Sequence, residues 1–394
     1  MAKVTLKKLS SIMGEPNPEI EREALAFLHR IDPDGEIEFV EEEGGLPIYF
    51  LLTGGSEIKF KAIFEKEATP YLILPLGTRN SFAASLEIVS FLNDRGLPNV
   101  LLYGEPREIK KQILDYALAY EAKKKLNGMR LGLIGPASDW LISSRCDPAL
   151  VKAKLGIEIV PIPMEELIEA VEKHEILDEA AYKEALAKTD RVEKLKETFY
   201  IYSGLSRLVE RYNLQGFTLR CFDLLLKYQN TSCLAFGYFN SRGILAGCEG
   251  DVPSLLSMAL AQAITGQPSF MANPERFDFK AKEAVYAHCT CPLSMLDRYE
   301  LMTHFESDQG FGIRGDFHLG QMTMLKIAPK LDRIVVKRLR NLDNLKEADI
   351  CRGQIKVAFD EPIEDLRDKP AGNHMIFVYG DCLGPIKAFA SFLE

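Results

Sequence analysis

The pattern of hydrophobic positions between residues 71 and 134 alternates between short apolar runs and longer stretches with helical spacing. The apolar runs predict strands at 71–76, 99–103 and 130–134. The stretches between them predict helices at 81–93 and 108–125. In the first helix, Ala84, Ile88 and Leu92 fall near a common face, and Ser81 is a suitable capping residue. Strands that alternate with helices of this length indicate crossovers and a mainly parallel sheet.

The same alternation restarts after residue 156. Strands are predicted at 157–162, 217–222 and 232–239, with two further strands near the start of the chain at 36–40 and 47–53. Helices are predicted at 164–173 and 253–264, and the highly charged stretch 178–213 predicts one long or broken helix with a solvated face. Pro253 suits an early helical position and Gly266 suits a helix end.

After residue 284 short β-like runs dominate, separated by Gly, Asp and Pro turns. These runs lie at 284–289, 301–305, 322–327, 333–339, 354–359 and 374–379. This pattern of short strands and turns is typical of a β-barrel or sandwich. The chain is therefore expected to be α/β, with two Rossmann-like parallel α/β domains followed by a β-rich, barrel-like C-terminal domain. The predicted domains are residues 1–126, 127–283 and 284–394.

Composition and charge narrow the class of protein. A length of 394 residues allows two or three hydrophobic cores. The net charge of -9 argues against a nucleic-acid or membrane-surface role, because both need a basic face. No run is long enough to span a membrane, and no secretory signal is visible. Eight dispersed cysteines are expected to be free thiols, which indicates a cytoplasmic protein.

The clearest candidate for a functional site in the sequence is the segment Cys248-Glu249-Gly250-Asp251. It places two carboxylates between a predicted strand and a predicted helix, where ligands collect in open α/β sheets. Glycine between the acids allows the backbone to approach a ligand closely. The alternative interpretation is that acids at this position only stabilise the helix N-terminus.

Two late histidines, His288 and His374, add imidazole to these carboxylates, a combination that suits a divalent ion such as Mn²⁺. A structural role in the core is the alternative for each. The run His288-Cys289-Thr290-Cys291 suggests zinc only weakly, because a second ligand pair at motif spacing is lacking. Neither a dinucleotide-binding fingerprint nor a nucleophile elbow occurs in the sequence.

Several segments in this order resemble the L-fucose isomerase/L-arabinose isomerase superfamily. The resemblance spans roughly residues 70–380. The segments that carry it are Arg-Cys-Phe-Asp at 220–223, Cys-Glu-Gly-Asp at 248–251, Thr-Gly-Gln-Pro-Ser-Phe-Met-Ala-Asn at 265–273, Ala-His-Cys-Thr-Cys-Pro at 287–292 and Gly-Asn-His at 372–374. The resemblance implies an aldose–ketose isomerase, an intramolecular oxidoreductase that works through an ene-diolate with Mn²⁺ or another divalent cation.

The resemblance also implies roles for individual residues. Glu249 matches the first family acid, His374 the late family histidine, and His288 a histidine that the arabinose branch uses at the metal. Asn273 stands where a second acid is expected. An amide oxygen can ligate a metal but cannot act as a base, so Asp251 is the candidate to take over the missing catalytic role. A small sugar substrate and a homo-oligomer, a trimer or hexamer with sites near subunit interfaces, are implied in the same way.

Four further polar or aromatic residues are candidates for binding the substrate: Asn80, Ser81, Trp140 and His304. Each has a structural alternative, such as a helix cap or a buried core side chain. At the level of function, the competing hypothesis is a non-catalytic or divergent sugar-binding protein on the same fold, and the residue in its favour is Asn273. Another enzyme on this scaffold, with an aldol or hydrolytic step, is the third possibility.

Overall fold

The computed structural model describes residues 1–11, 17–64 and 70–393. These residues form two compact units, one of residues 1–124 with 384–394 and one of residues 125–383. Parallel sheets flanked by helices and a closed antiparallel barrel are both present, so the predicted fold class is confirmed. The second parallel sheet and the barrel lie in the same unit. Among the described residues, no helix is both long and apolar enough to cross a membrane.

The first unit is built on a five-stranded parallel sheet with the order β2-β1-β3-β4-β5. Its strands are β1 (Ala2–Leu9), β2 (Ile37–Val40), β3 (Leu46–Leu51), β4 (Tyr71–Pro75) and β5 (Asn99–Leu101). Its helices are α1 (Pro18–Ile31), α2 (Glu57–Ile63), α3 (Ser81–Asn93) and most of α4 (Pro106–Leu126). The chain returns to this unit at its end, where residues 384–394 include most of the last helix, Leu383–Ala390.

The second unit begins with a four-stranded parallel sheet in the order β7-β6-β8-β9. Its strands are β6 (Arg130–Ile134), β7 (Glu158–Ile162), β8 (Gly216–Leu219) and β9 (Leu245–Cys248). Its helices are α5 (Pro148–Leu155), α6 (Met164–Val171), α7 (Glu179–Leu186), α8 (Val192–Tyr212), α9 (Cys221–Tyr228), α10 (Cys233–Ser241) and α11 (Val252–Thr265). The charged stretch 178–213 is thus a broken helix, α7 followed by α8.

The strand predicted at 232–239 is wrong, and the strand predicted at 301–305 coincides with an observed strand only at Leu301 and Met302. Residues 232–239 were expected to be extended, but they lie in α10, and every residue from Cys233 to Asn240 is buried. A helix that is apolar on all sides shows no 3.6-residue periodicity, so its sequence cannot be told from a buried strand. The strand predicted at 217–222 is also shorter than expected, because β8 ends at Leu219 and α9 begins at Cys221.

The rest of the second unit is a closed barrel with the strand order β10-β11-β16-β15-β14-β17. Its strands are β10 (Phe270–Asp278), β11 (Glu283–His288), β14 (Gly320–Ile327), β15 (Ile334–Asp343), β16 (Gly353–Phe359) and β17 (Met375–Tyr379). A separate antiparallel pair is formed by β12 (Leu296–Met302) and β13 (Gly312–Phe317). The remaining short helices are a 3-10 turn at Leu293–Met295, α12 (Glu364–Asp368) and the last helix, α13.

Helix α11 connects the parallel sheet to the barrel. It packs against β9 of the sheet and β14 of the barrel, and its residues from Val252 to Ala261 are all buried. The hydroxyl of Ser257 accepts the backbone N–H of Ile327 in β14 at 2.8 Å. The N-terminus of α11 is therefore held where strand β9 ends, and the two acids of the Cys-Glu-Gly-Asp segment lie at that point.

Candidate functional site

The loop between β9 and α11 places Glu249 and Asp251 in different surroundings. Glu249 has φ 65° and Gly250 has φ 71°, so both lie in the left-handed region. A Cβ on residue 250 would lie 2.6 Å from Cα of Ala137, which explains the glycine there. A non-glycine residue at positive φ costs about 1–2 kcal/mol, and such conformations cluster at functional sites. The backbone thus turns sharply at the residue that carries the first acid.

The Glu249 carboxylate is held at one oxygen and faces a histidine with the other. The indole Nε1–H of Trp140 donates to Oε2 of Glu249 at 2.7 Å. Oε1 lies 3.8 Å from Nε2 of His374, and the Glu249 side chain is 12% exposed. Trp140 itself is half exposed and stands edge-on to Phe222, with ring centroids 4.9 Å apart. Glu249 is therefore an oriented carboxylate near the surface of the site.

Asp251 is fully buried and surrounded by donors. It caps α11 by accepting the backbone N–H of Ser254 at 2.9 Å and the Ser254 hydroxyl at 2.8 Å. The ammonium of Lys326 lies 3.2 Å from Oδ2, and Nδ1 of His374 lies 2.8 Å from the same oxygen. Burial favours the neutral acid, but Lys326 and the hydrogen bond with His374 outweigh it and hold the pKa of Asp251 below its usual range. Such a carboxylate accepts hydrogen bonds and is a poor base.

His374 is fully buried and immediately precedes β17. A carboxylate can only accept, so Nδ1 of His374 donates to Asp251. In the neutral ring the lone pair is then on Nε2. Among the described residues, no group makes a hydrogen bond to this Nε2, although it is buried. A buried polar atom without a hydrogen bond is costly, so this nitrogen is a candidate for binding a ligand.

His288 lies beside His374 at the end of β11, and the two ring centroids are 5.6 Å apart. Nδ1 of His288 accepts the backbone N–H of Thr290 at 3.3 Å and lies 2.7 Å from the Thr290 hydroxyl. The proton of the neutral ring is therefore on Nε2. Burial, followed by the neighbouring imidazole of His374, lowers the pKa of His288 well below its ordinary value. His288 is thus a neutral ring with an N–H donor.

Asn273 joins the same end of the barrel through strand pairing. It lies opposite Ala287 of β11, and its neighbour Ala272 lies opposite Met375 of β17. The side chain is half-buried, and its Oδ1 accepts from Nδ2 of Asn373 at 3.1 Å. The barrel register therefore brings Asn273, His288 and His374 to one end of three neighbouring strands.

Of the other predicted substrate-binding residues, His304 lies close enough to His288 to help lower its pKa, whereas Asn80 and Ser81 lie in the first unit. His304 follows β12 and contacts Ser307 through Nδ1, and its ring centroid lies 6.1 Å from that of Phe222, the same ring that Trp140 contacts edge-on. Asn80 and Ser81 belong to the first compact unit. Asn80 is exposed with φ 59°, whereas the buried Ser81 hydroxyl bonds Gly77 and Thr78 of its own loop. Ser81 thus has a local structural role in the loop after β4.

Lys326 is the site residue that sequence reasoning missed. It is fully buried in β14, where its ammonium contacts Asp251 and the hydroxyl of Ser254. Its sequence signal was a single lysine in the otherwise largely apolar run Met-Thr-Met-Leu-Lys-Ile at 322–327. A charged residue in such a run is almost never fully buried unless it is paired. The acid that pairs with it is 75 residues away in sequence.

These residues do not form a ready-made cluster of charged metal ligands. Within the described ranges, no group of three or more His, Cys, Asp or Glu side chains is arranged to hold a metal ion. The arrangement does offer a carboxylate oxygen of Glu249, an imidazole nitrogen of His374 that makes no hydrogen bond within the described ranges, and the amide oxygen of Asn273 on the strand that pairs with β17. Of these three groups only the Glu249 carboxylate carries a charge. The charges of the neighbouring Asp251 and Lys326 cancel each other.

Comparison with known proteins points to sugar isomerases. No protein-family model matches the chain. The chain is similar to curated sulfoquinovose isomerases, however, at low identity. The one from Clostridium sp. (strain MSTE9) is 24% identical over 320 residues, which cover 74% of this chain and 70% of the relative. Those from Priestia aryabhattai and Priestia megaterium (strain ATCC 12872 / QMB1551) are each 19% identical over 326 residues, covering 77% of this chain and 72% of the relative.

Proposed function

We propose that this protein is an aldose–ketose isomerase that works with a divalent cation through an ene-diolate. The observation that carries the proposal is the buried Nε2 of His374, which makes no hydrogen bond to any described residue and lies 3.8 Å from Oε1 of Glu249. The similarity to sulfoquinovose isomerases supports the reaction class. Sulfoquinovose is accordingly the first substrate to test, followed by neutral aldoses.

The residues fit a divalent cation of intermediate softness. Two ligands that each lie about 2.1 Å from one ion can be up to about 4.2 Å apart, so the 3.8 Å between Glu249 Oε1 and His374 Nε2 is compatible with a shared ion. Imidazole with carboxylate and amide oxygen suits Mn²⁺. We propose Glu249, His374 and Asn273 as its ligands. When bound, the cation supplies positive charge that stabilises the negative charge on the sugar oxygens as the carbon-bound proton leaves.

Glu249 is proposed as the base that moves the proton between the two carbons. Its Oε2 keeps a lone pair beyond the one that accepts the Trp140 N–H, because a carboxylate oxygen can accept twice. Glu249 takes the C2 proton of the aldose and returns it to C1, while the O2 hydroxyl proton moves to O1. Asp251 is already occupied by Ser254, Lys326 and His374, so we propose that it acts by orienting His374.

His288 is proposed as a donor to a sugar oxygen. The sequence-based prediction counted it among the cation ligands, which would require a lone pair on Nε2. The hydrogen bond from the Thr290 backbone N–H to Nδ1 favours a proton on Nε2 instead. Trp140, half exposed beside Glu249, offers an aromatic face for the sugar ring. The homo-oligomer and the cytoplasmic location stay predictions.

The decisive experiment follows the carbon-bound proton. The protein is stripped with a chelator, reloaded with Mn²⁺ and incubated in D₂O with sulfoquinovose and with a panel of neutral aldoses, and ¹H NMR monitors the C2 proton and the ketose. We expect ketose formation with solvent exchange. Glu249→Gln should lower the rate about 100-fold to 10,000-fold, because an amide cannot take the proton. The matched control is Glu283→Gln. It removes a carboxylate of β11 that pairs with Lys356 of β16.

A sugar-binding protein without catalysis is the second candidate, and the neutral Asn273 favours it because one anionic ligand is missing. The same experiment separates the two. Sugar binding measured by calorimetry, without exchange or ketose for any aldose in the panel, would support the binding protein. Neither binding nor conversion with Mn²⁺, Co²⁺ or Mg²⁺ would refute both.

A further inference from the structure

A fully buried ion pair lies at the Nδ1 edge of His374. The Lys326 ammonium is 3.3 Å and 3.2 Å from the two carboxylate oxygens of Asp251, and neither side chain is exposed. Lys326 stands in β14 between the buried Leu325 and Ile327. Removing two charges from water often costs more than their attraction returns, and apolar residues of similar volume are frequently as stable. Stability alone therefore gives no reason for an ion pair, rather than two apolar side chains, at this place.

The ion pair is extended by Ser254, the third residue of α11. The Lys326 ammonium donates to the Ser254 hydroxyl, which lies 2.8 Å from Oδ2 of Asp251. The backbone N–H of Ser254 bonds Oδ1 at 2.9 Å. Each carboxylate oxygen is thus held by donors from two elements, α11 and β14. A carboxylate held in this way cannot turn away from its remaining neighbour, Nδ1 of His374.

We propose that Lys326 is a positioning residue for His374. By fixing the Asp251 carboxylate against Nδ1, it keeps the ring proton on Nδ1 and the lone pair on Nε2, the nitrogen that faces Glu249. Which ring nitrogen of a histidine carries the proton is set by the hydrogen bond that the other nitrogen or its neighbour makes. The inference rests on the proposed function only in that Nε2 is taken to bind the cation; the contacts at Nδ1 stand without it.

The first test reads the tautomer directly, without cation or substrate. The full chain is labelled with ¹⁵N-histidine, and long-range ¹H–¹⁵N correlation spectra assign the proton to one nitrogen, with His374→Gln identifying the signals. In the wild type we expect His374 protonated on Nδ1. Lys326→Met should produce a mixture or the Nε2-protonated form. Lys337→Met is the matched control, because Lys337 is also a largely buried barrel lysine, paired with Asp365.

The second test measures Mn²⁺ binding by calorimetry, and thermal unfolding confirms that each variant is folded. Loss of a group that orients a metal-binding histidine typically weakens metal affinity about 10- to 100-fold, and we expect this for Lys326→Met. Ser254→Ala keeps both charges paired and removes only the bridging hydroxyl, so a smaller loss in the same direction is expected. Should Lys326→Met fail to fold, Ser254→Ala decides the question by itself.

The inference is overturned if the folded variants keep the proton of His374 on Nδ1 and bind Mn²⁺ within twofold of the wild type. Failure of the proposed function would give a different result from failure of this inference. In that case the wild type binds no Mn²⁺ and converts no aldose, while the tautomer spectra still decide whether Lys326 and Ser254 position His374.

Discussion

Trp140 fixes one oxygen of Glu249 from outside the segment that carries the acid. The indole N–H lies 2.7 Å from Oε2, and the ring is supported edge-on by Phe222. The backbone N–H of Ser138, two residues earlier, donates to the Glu249 carbonyl at 2.8 Å. The short stretch 136–140 thus holds both the backbone and the side chain of Glu249. A tryptophan that is half exposed at such a place serves orientation as well as packing.

We therefore expect Trp140→Phe to impair turnover without unfolding the protein. The substitution keeps a ring beside Phe222 and deletes the N–H donor. A hydrogen bond to a charged group contributes about 1.5–3 kcal/mol, so kcat/KM should fall roughly 10- to 100-fold. Phe222→Leu, which leaves the indole N–H in place, is the comparison and should cost less. Equal losses in the two variants would show that ring packing, and not the hydrogen bond, orients Glu249.

At the scale of elements, the turn from β9 into α11 determines the different directions in which the side chains of Glu249 and Asp251 point. Gly250 closes the turn with its N–H bonded to the Leu219 carbonyl at 3.1 Å, and its Cα faces the chain at Ala137. Because the turn is this tight, the Glu249 side chain points to the partly exposed side of the turn and the Asp251 side chain points into the protein interior. The alternation of acid, glycine and acid is therefore a geometric requirement of this turn.

Gly250→Ala tests that requirement through thermal stability. A Cβ there would meet backbone atoms of Pro136 and Ala137 at 2.6–3.0 Å and would also be strained at φ 71°. Gly266 at the other end of α11 has φ 69°, and a Cβ there would have no atom within 4 Å. Gly266→Ala therefore introduces the backbone strain of a positive φ without a steric clash. We expect Gly266→Ala to destabilise by about 1 kcal/mol and Gly250→Ala by clearly more. A Gly250→Ala melting temperature equal to that of Gly266→Ala would contradict the close approach.

Elements also differ in how far the sequence predicts them. Helix α3 and strand β6 have the predicted bounds, because each shows a clear period and a clear end signal. Strand β1 was not predicted, since Lys3, Lys7 and Lys8 hide its apolar positions. Its place between β2 and β3 comes from pairing with segments more than 30 residues away. Helix α10 was misassigned because burial on all sides removes its periodicity.

At the scale of the whole molecule, the candidate site is contained in one compact unit. Glu249, Asn273, His288, Lys326 and His374 all lie within residues 125–383. They come from the edge of a parallel sheet and from four strands of the barrel, so their arrangement exists only when sheet and barrel are both folded. A ligand that needs this arrangement must stabilise the folded unit against unfolding.

Mn²⁺ is accordingly expected to raise the melting temperature. At about 100 times the dissociation constant, binding adds about 2.7 kcal/mol, which corresponds to roughly 5–10 °C for a unit of this size. Differential scanning calorimetry with chelator and with Mn²⁺ measures the shift. His374→Gln should abolish it, whereas His174→Gln, at a largely exposed histidine paired with Glu172, should leave it intact. A shift that survives in His374→Gln would remove His374 from the proposed cation site.

The sequence by itself determined the alternation of strands and helices, the presence of a β-rich region late in the chain and the acids at the end of β9. These features are local, because each depends on the spacing of neighbouring side chains along the chain. Tertiary structure alone decided that Trp140 bonds Glu249, that Lys326 pairs with Asp251 and that His374 has its free nitrogen on the side of Glu249. Those contacts join residues about 75 to 125 positions apart, and hydrogen-bond direction depends on which groups meet in space, so no local pattern contains them.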